Sequence, residues 1–90
     1  MYEIEIWSYD TWGNEEEGYT VNDRCKIGTM KTRKIPSDKK IQEIINDYFS
    51  DENEVSIDHG CSDETHIYLV RNSEEYSDYP EGEILIEEVQ

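Results

Sequence analysis

The feature that most restricts the possible folds of this chain is a single amphipathic helix near its middle. Apolar residues recur there at the spacing i, i+3, i+4, i+7 and i+8, which places them in one stripe along a helix: Ile41, Ile44, Ile45, Tyr48 and Phe49. Ser37 is a suitable N-cap, and Asp38 in the first turn complements the helix dipole. Because one helix can cover one face of one sheet, the rest of the chain has to supply that sheet.

The segments on both sides of the helix alternate between apolar and polar residues, as strands do when one face is buried. Ile4 and Ile6 alternate with Glu3 and Glu5 in the first strand, which we expect to run from position 2 to about position 10. The second strand should follow a long loop, Thr11–Gly18. Three more strands are expected at 54–58, 66–71 and 83–89, the last one after a turn formed by Pro80 and Gly82.

The order β-β-α-β-β-β predicts one domain, residues 1–90, of the α+β class. We expect a two-layer sandwich in which one amphipathic helix lies on a mostly antiparallel sheet of four to five strands. Val21 and Ile27 fall on the apolar side of the second strand and should join Ile4 and Ile6 beneath the helix. The opposite sheet face has no helix to cover it, so it should face solvent and carry much of the acid, and the sequence leaves open whether a homodimer forms through it.

The charges are unevenly distributed along the chain. Twenty-three acids against eight lysines and arginines give a net charge of −15, with −7 in residues 1–23, +6 in residues 24–40 and −14 in residues 41–90. Such a body repels a phosphate backbone, so direct binding of nucleic acid is not expected. The basic segment Arg24–Lys40 could contact nucleic acid, but pairing with the acids of this protein across strands and on the helix is favoured.

Several functional classes lack their usual sequence signals. The chain has no apolar run that could span a bilayer and no signal peptide, so we expect a cytoplasmic protein without a membrane partner. Cys25 and Cys61 are far apart and should be reduced thiols. The sequence contains no glycine-rich phosphate loop and no nucleophile elbow, so we expect neither enzymatic activity nor a cofactor.

One segment, "DHGCSDETH", keeps an alternative open. Asp58, His59, Cys61 and His66 are residue types that zinc accepts, and Cys25 could be a further ligand. Their spacing matches none of the paired ligand patterns of zinc sites. The favoured interpretation is a structural pair of histidines beside a turn, and the alternative is a small metal-binding or enzymatic module.

Two acidic segments that contain large aromatic side chains are the more specific functional signal. They are "YDTWGNEEEGYTVND" and "NSEEYSDYPEGE". Trp and Tyr are enriched at the centres of protein interfaces, and complementary charge promotes association. Alternatively, the rings could fold back over the sheet while the acids keep the loops soluble. The residues predicted to bind a partner are Asp10, Trp12, Glu15, Glu16, Glu17, Tyr76, Asp78, Tyr79 and Glu81.

The small size, the acidity and the composition, rich in isoleucine and without alanine, resemble those of small phage-encoded proteins that act against host defences. DNA mimics and anti-CRISPR proteins are among them, and "YDTWGNEEEGYTVND" is similar to segments of small phage proteins. This resemblance implies a cytoplasmic inhibitor without enzymatic activity, which docks on a basic protein that handles nucleic acid. Carboxylates on a rigid sheet can take the place of phosphates in such a groove.

Overall fold

The sheet and the helix form the predicted two layers. The computed structural model describes residues 1–14, 16–49, 54–74 and 77–89, and in these it has one helix and five strands. The sheet order is β2-β1-β5-β4-β3, and every neighbouring pair is antiparallel. The α+β prediction is therefore confirmed. The elements are β1 Tyr2–Asn14, β2 Gly18–Thr32, α1 Asp38–Tyr48, β3 Val55–Ile57, β4 His66–Arg71 and β5 Tyr79–Glu88.

The helix begins and packs as its sequence pattern predicts. The side chain of Ser37 caps its first turn by accepting a hydrogen bond from the N–H of Lys40 at 3.3 Å. The apolar stripe of α1 packs on the central strands, where Ile4 and Ile6 of β1 are fully buried. The remaining members of this core are Ile41, Ile44, Ile45, Phe49, Val55, Ile67, Leu69, Ile84 and Ile86. No helix in the described part of the chain is long and apolar enough to cross a membrane.

The expectation that Val21 and Ile27 lie beneath the helix is wrong. Both side chains are exposed, by 40% and 39%. Ile6 pairs with Gly28 and Trp7 pairs with Lys26, so Ile27 is the extra residue of a β-bulge. Gly28 takes the place under the helix instead, because the ring of Tyr48 occupies the space that a side chain would need there. Val21 lies near the start of β2 and pairs with Thr11. Thr11 comes after Ser8, the last residue of β1 that pairs with β5.

The expectation of a long loop at Thr11–Gly18 is also wrong, because both strands continue into this segment. β1 runs to Asn14, β2 starts at Gly18, and these two residues pair with each other. Gly13 has a φ of +121°, and a Cβ there would overlap the carbonyl oxygen of Gly18. The tight reversal therefore requires glycine at position 13.

The turn expected at Pro80 and Gly82 is a third error, because both residues lie within β5. Leu69 pairs with Gly82 and Val70 with Pro80, so Glu81 is the extra residue of a second bulge. A bulge tolerates proline within a sheet, where the missing N–H would otherwise interrupt the ladder. β5 is thus longer than predicted and brings its early residues into the sheet.

Candidate functional site

The ends of β1 and β2 project beyond the rest of the sheet. Pairing of β1 with β5 ends at Ser8 and Gly82, whereas pairing of β1 with β2 continues to Asn14 and Gly18. We call residues 10–14 and 18–23 the distal hairpin. The molecule extends 44 Å along its long axis and 23 Å along the other two. The distal hairpin thus offers an edge that approaching molecules can reach from several sides.

Trp12 lies on the surface of the distal hairpin. Its side chain is 64% exposed, so the alternative in which the indole folds back into the core is wrong. The indole N–H donates a hydrogen bond to the Oδ1 of Asn22 at 3.1 Å. Asn22 is the extra residue of another bulge, since Asp10 pairs with Asp23 and Thr11 with Val21. The bulge thus supplies the acceptor that holds the indole at the surface.

Acidic side chains surround this tryptophan. Asp10 and Asp23 are direct cross-strand neighbours, an arrangement that destabilises a sheet because like charges repel. Glu16 and Glu17 are exposed at the tip, where the N–H of Glu17 donates to the Oδ1 of Asn14 at 2.8 Å. Glu15, also predicted to bind a partner, lies outside the described residues.

Two predicted residues of the second segment, Tyr79 and Glu81, contact other parts of this protein. The hydroxyl of Tyr79 donates to the carbonyl oxygen of Thr11 at 2.6 Å, and its ring packs edge-on against Tyr19 at 5.2 Å. Tyr79 thus anchors the base of the distal hairpin on β5. Glu81 forms an ion pair with Arg71 at 2.8 Å. Asp78 is exposed, and Tyr76 lies outside the described residues.

The structure contains a polar cluster that the sequence analysis missed. Ile84 faces the helix, so its neighbour Glu83 points to the opposite side of the sheet, here called the open face. Glu83 is nevertheless only 2% exposed. It accepts a hydrogen bond from the hydroxyl of Tyr9 at 2.9 Å, lies 2.7 Å from the Nε2 of His66, and forms an ion pair with Arg24.

Aromatic rings cover this carboxylate where no helix does. The ring of Tyr68 stacks on that of His66 at 4.2 Å, and the guanidinium of Arg24 lies 5.0 Å from the ring centre of Trp7. Burial raises the pKa of Tyr9 above its ordinary value, and the hydrogen bond to Glu83 raises it further. Tyr9 therefore keeps its proton and remains a donor to Glu83. The open face is more aromatic than its predicted acidic character suggested.

Three bases of the basic segment pair with acids of this protein, as the favoured interpretation expects. Arg24 pairs with Glu83, Lys26 with Glu5 at 3.3 Å, and Lys40 with Glu43 at 3.9 Å. The first pair reaches from β2 across β1 to β5, the second joins the neighbouring strands β2 and β1, and the third lies within the helix.

The structure does not bring the residues of "DHGCSDETH" together as ligands. His66 contacts Glu83 on the open face. His59 instead lines a groove together with Ile35 and Ser62, and neither Glu83 nor His66 lines that groove. Cys61 is exposed, and a hydrogen bond to Asp58 raises the pKa of its thiol. Among the residues described, no group of three or more His, Cys, Asp or Glu side chains could hold a metal ion.

Comparisons with known proteins do not identify a relative. No protein-family model, curated protein or solved structure matches the chain. The two features that can indicate a function are therefore the distal hairpin and the open face.

Proposed function

We propose that this chain is a binding protein without enzymatic activity, whose distal hairpin docks on the basic surface of a protein that handles nucleic acid and so inhibits it. The observation that carries the proposal is Trp12. A side chain of this size, 64% exposed and held by a hydrogen bond in a strand, is a preformed interface anchor. Little conformational freedom has to be lost when such a ring binds.

The charges around Trp12 indicate the chemistry of the partner. Asp10 faces Asp23 across the strands, and Glu16 and Glu17 are exposed at the tip. A basic surface would relieve this repulsion on binding, whereas an acidic surface would add to it. The net charge of −15 extends the attraction beyond direct contact, which increases the association rate.

Nucleic-acid sites are concentrated basic surfaces, because they are lined with Lys and Arg to meet phosphates. Carboxylates fixed on paired strands can occupy such a groove and exclude its nucleic acid. The resemblance of the composition to that of phage proteins directed against host defences supports the same class of target.

The test begins with capture of proteins from a bacterial lysate at low and high salt. Wild-type chain, Trp12→Ala and the control Ile35→Ala, which changes an exposed apolar residue elsewhere, serve as three baits. A partner that supports the proposal is captured by wild type and Ile35→Ala, and lost with Trp12→Ala. Duplex DNA or RNA, added to the purified partner, must then compete with the chain. Equal capture by all three baits, or binding that nucleic acid does not affect, would contradict the proposal.

A further inference from the structure

A groove of about 470 Å³ lies beside the polar cluster on the open face. This volume is within the range of pockets that bind small molecules or single large side chains. Its lining combines the rings of Tyr9 and Tyr68, the apolar side chains of Val70 and Pro80, and the carboxylates of Asp58 and Asp78. These residues come from three strands and two loops, so the groove exists only in the folded protein.

Hydrogen bonds hold the carboxylate of Asp58 and the backbone of Asp78. The Oδ1 of Asp58 accepts the N–H of Gly60 at 3.1 Å, and its carbonyl oxygen accepts the N–H of Ser62 at 3.1 Å. Asp78 has a φ of +52°, and its N–H donates to the Oδ1 of Asn72 at 2.8 Å. Binding a cation in the groove therefore requires little reordering of the two loops that carry these residues.

This combination of lining groups matches one kind of side chain. A guanidinium ion stacks on aromatic rings and pairs with carboxylates, and the methylenes of arginine pack against apolar groups. A phosphate or carboxylate ligand would be repelled by both aspartates. Tyr9 lines the groove from β1, and the next residue of that strand, Asp10, is the first residue of the distal hairpin.

We infer that this groove receives one arginine side chain of the basic partner that the distal hairpin binds. The assignment of this arginine to the basic partner rests on the proposed function. The affinity of the groove for a guanidinium ion can be measured without any partner. The distal hairpin and the groove would then act as two contacts with one partner, an aromatic anchor and a receptor for a cation.

The probe is N-acetyl-arginine methylamide, titrated into the isotopically labelled chain at low ionic strength and followed by backbone amide NMR. We expect saturable shifts at residues of the groove, among them Tyr68 and Asp78. The citrulline analogue has nearly the same shape without the charge and should bind at least about tenfold more weakly, since a charge-assisted contact contributes about 1.4 kcal/mol or more. Equal binding of the two probes would overturn the inference.

Two pairs of substitutions separate the groove from the distal hairpin. Asp58→Asn with Asp78→Asn should weaken binding of the arginine probe at least about tenfold. Asn tolerates the left-handed conformation at position 78, so the fold should persist. Asp10→Asn with Asp23→Asn removes the same charge from the distal hairpin and should leave binding of the probe within about twofold. If the first pair binds the probe as tightly as wild type does, the inference is wrong.

Three further outcomes distinguish the sources of the cation and the two proposals. If spermidine binds the groove more tightly than the arginine probe does, the groove is a site for a free polyamine and the inference is wrong. If the groove binds the probe but Asp10→Asn with Asp23→Asn leaves the captured partner's affinity unchanged, the proposed role of the distal hairpin fails. If the groove does not bind the probe while the distal hairpin variants lose the partner, only the present inference fails.

Discussion

Tyr9 in β1 donates its hydroxyl hydrogen to Glu83 in β5 across 2.9 Å, on the sheet face that the helix leaves open. Arg24 of β2 and His66 of β4 contact the same carboxylate, so one buried acid joins four neighbouring strands. A buried carboxylate is unfavourable unless it is paired and hydrogen-bonded. Its partners here compensate that cost, and they tie the strands together where no second layer does.

Removing the charge of Glu83 should therefore destabilise the protein. In Glu83→Gln the side chain keeps its size but loses its ion pair with Arg24, and its amide group offers donors where acceptors are needed. We expect the free energy of unfolding to fall by about 2 kcal/mol, less than for a fully buried pair because Arg24 is 49% exposed. Urea denaturation at neutral pH measures the change. Glu87→Gln, at an exposed position of the same strand, should change it by less than about 0.5 kcal/mol; equal losses would contradict the assigned role of Glu83.

The hydrogen bond from Tyr9 predicts a loss of stability in alkali. Because burial raises the pKa of Tyr9 in the folded protein, the unfolded chain releases this proton first as the pH rises. The contribution of Tyr9 is complete below a pH of about 10 and declines above it. The difference in unfolding free energy between wild type and Tyr9→Phe should therefore shrink between pH 9 and pH 11 in urea denaturation. A constant difference across this interval would show that Tyr9 ionises normally.

The position of the helix predicts a contrast between two isoleucines. Ile45 is fully buried between the helix and the sheet, so Ile45→Ala should lower the free energy of unfolding by about 2–5 kcal/mol. Ile27 is an exposed bulge residue, so the identical change there should cost less than about 1 kcal/mol. Thermal or urea unfolding of the two variants gives the comparison. Similar losses would mean that Ile27 packs against the helix after all.

The sequence pattern predicted those elements whose burial follows from strict periodicity. The apolar stripe from Ile41 to Phe49 predicted the helix, and the alternation around Ile4 and Ile6 predicted the strand β1. Two of the errors lie at bulges, where one extra residue reverses the side on which later side chains point. Ile27 and Glu81 are such residues, and alternation alone does not reveal them.

The polar cluster could not be predicted for a related reason. Glu83 follows Gly82 in a segment with many acids, and nothing local distinguishes it from Glu81 or Glu87. Its burial results from the register that sets it beside Trp7 of β1 and Tyr68 of β4. The exposure of Trp12 likewise depends on the continuation of β1 to Asn14, which places the ring outside the sheet core and which the composition of this segment does not indicate.

The cross-strand pair Asp10 and Asp23 predicts a conflict between stability and binding. Asp10→Asn removes the repulsion and should raise the free energy of unfolding by about 0.2–1 kcal/mol at low salt, with a smaller gain at high salt. The same change should slow association with a basic partner. Unfolding experiments at two ionic strengths, with Glu64→Gln as an exposed control outside the distal hairpin, measure the first effect. A loss of stability would show that Asp10 has a favourable structural contact.

Trp12 provides the clearest separation of a binding role from a structural one. Trp12→Ala should weaken binding to the captured partner by at least about 2 kcal/mol, mainly through faster dissociation, because the ring is an anchor. Unfolding should change little, since the ring is 64% exposed and loses one hydrogen bond to Asn22. Changing Glu15, Glu16 and Glu17 to glutamine should instead slow association and reduce its salt dependence. Surface plasmon resonance at several salt concentrations distinguishes the two effects. If Trp12→Ala unfolds the protein while the glutamine changes leave association untouched, the distal hairpin is structural: the ring then stabilises the strands, and the acids only keep the hairpin soluble.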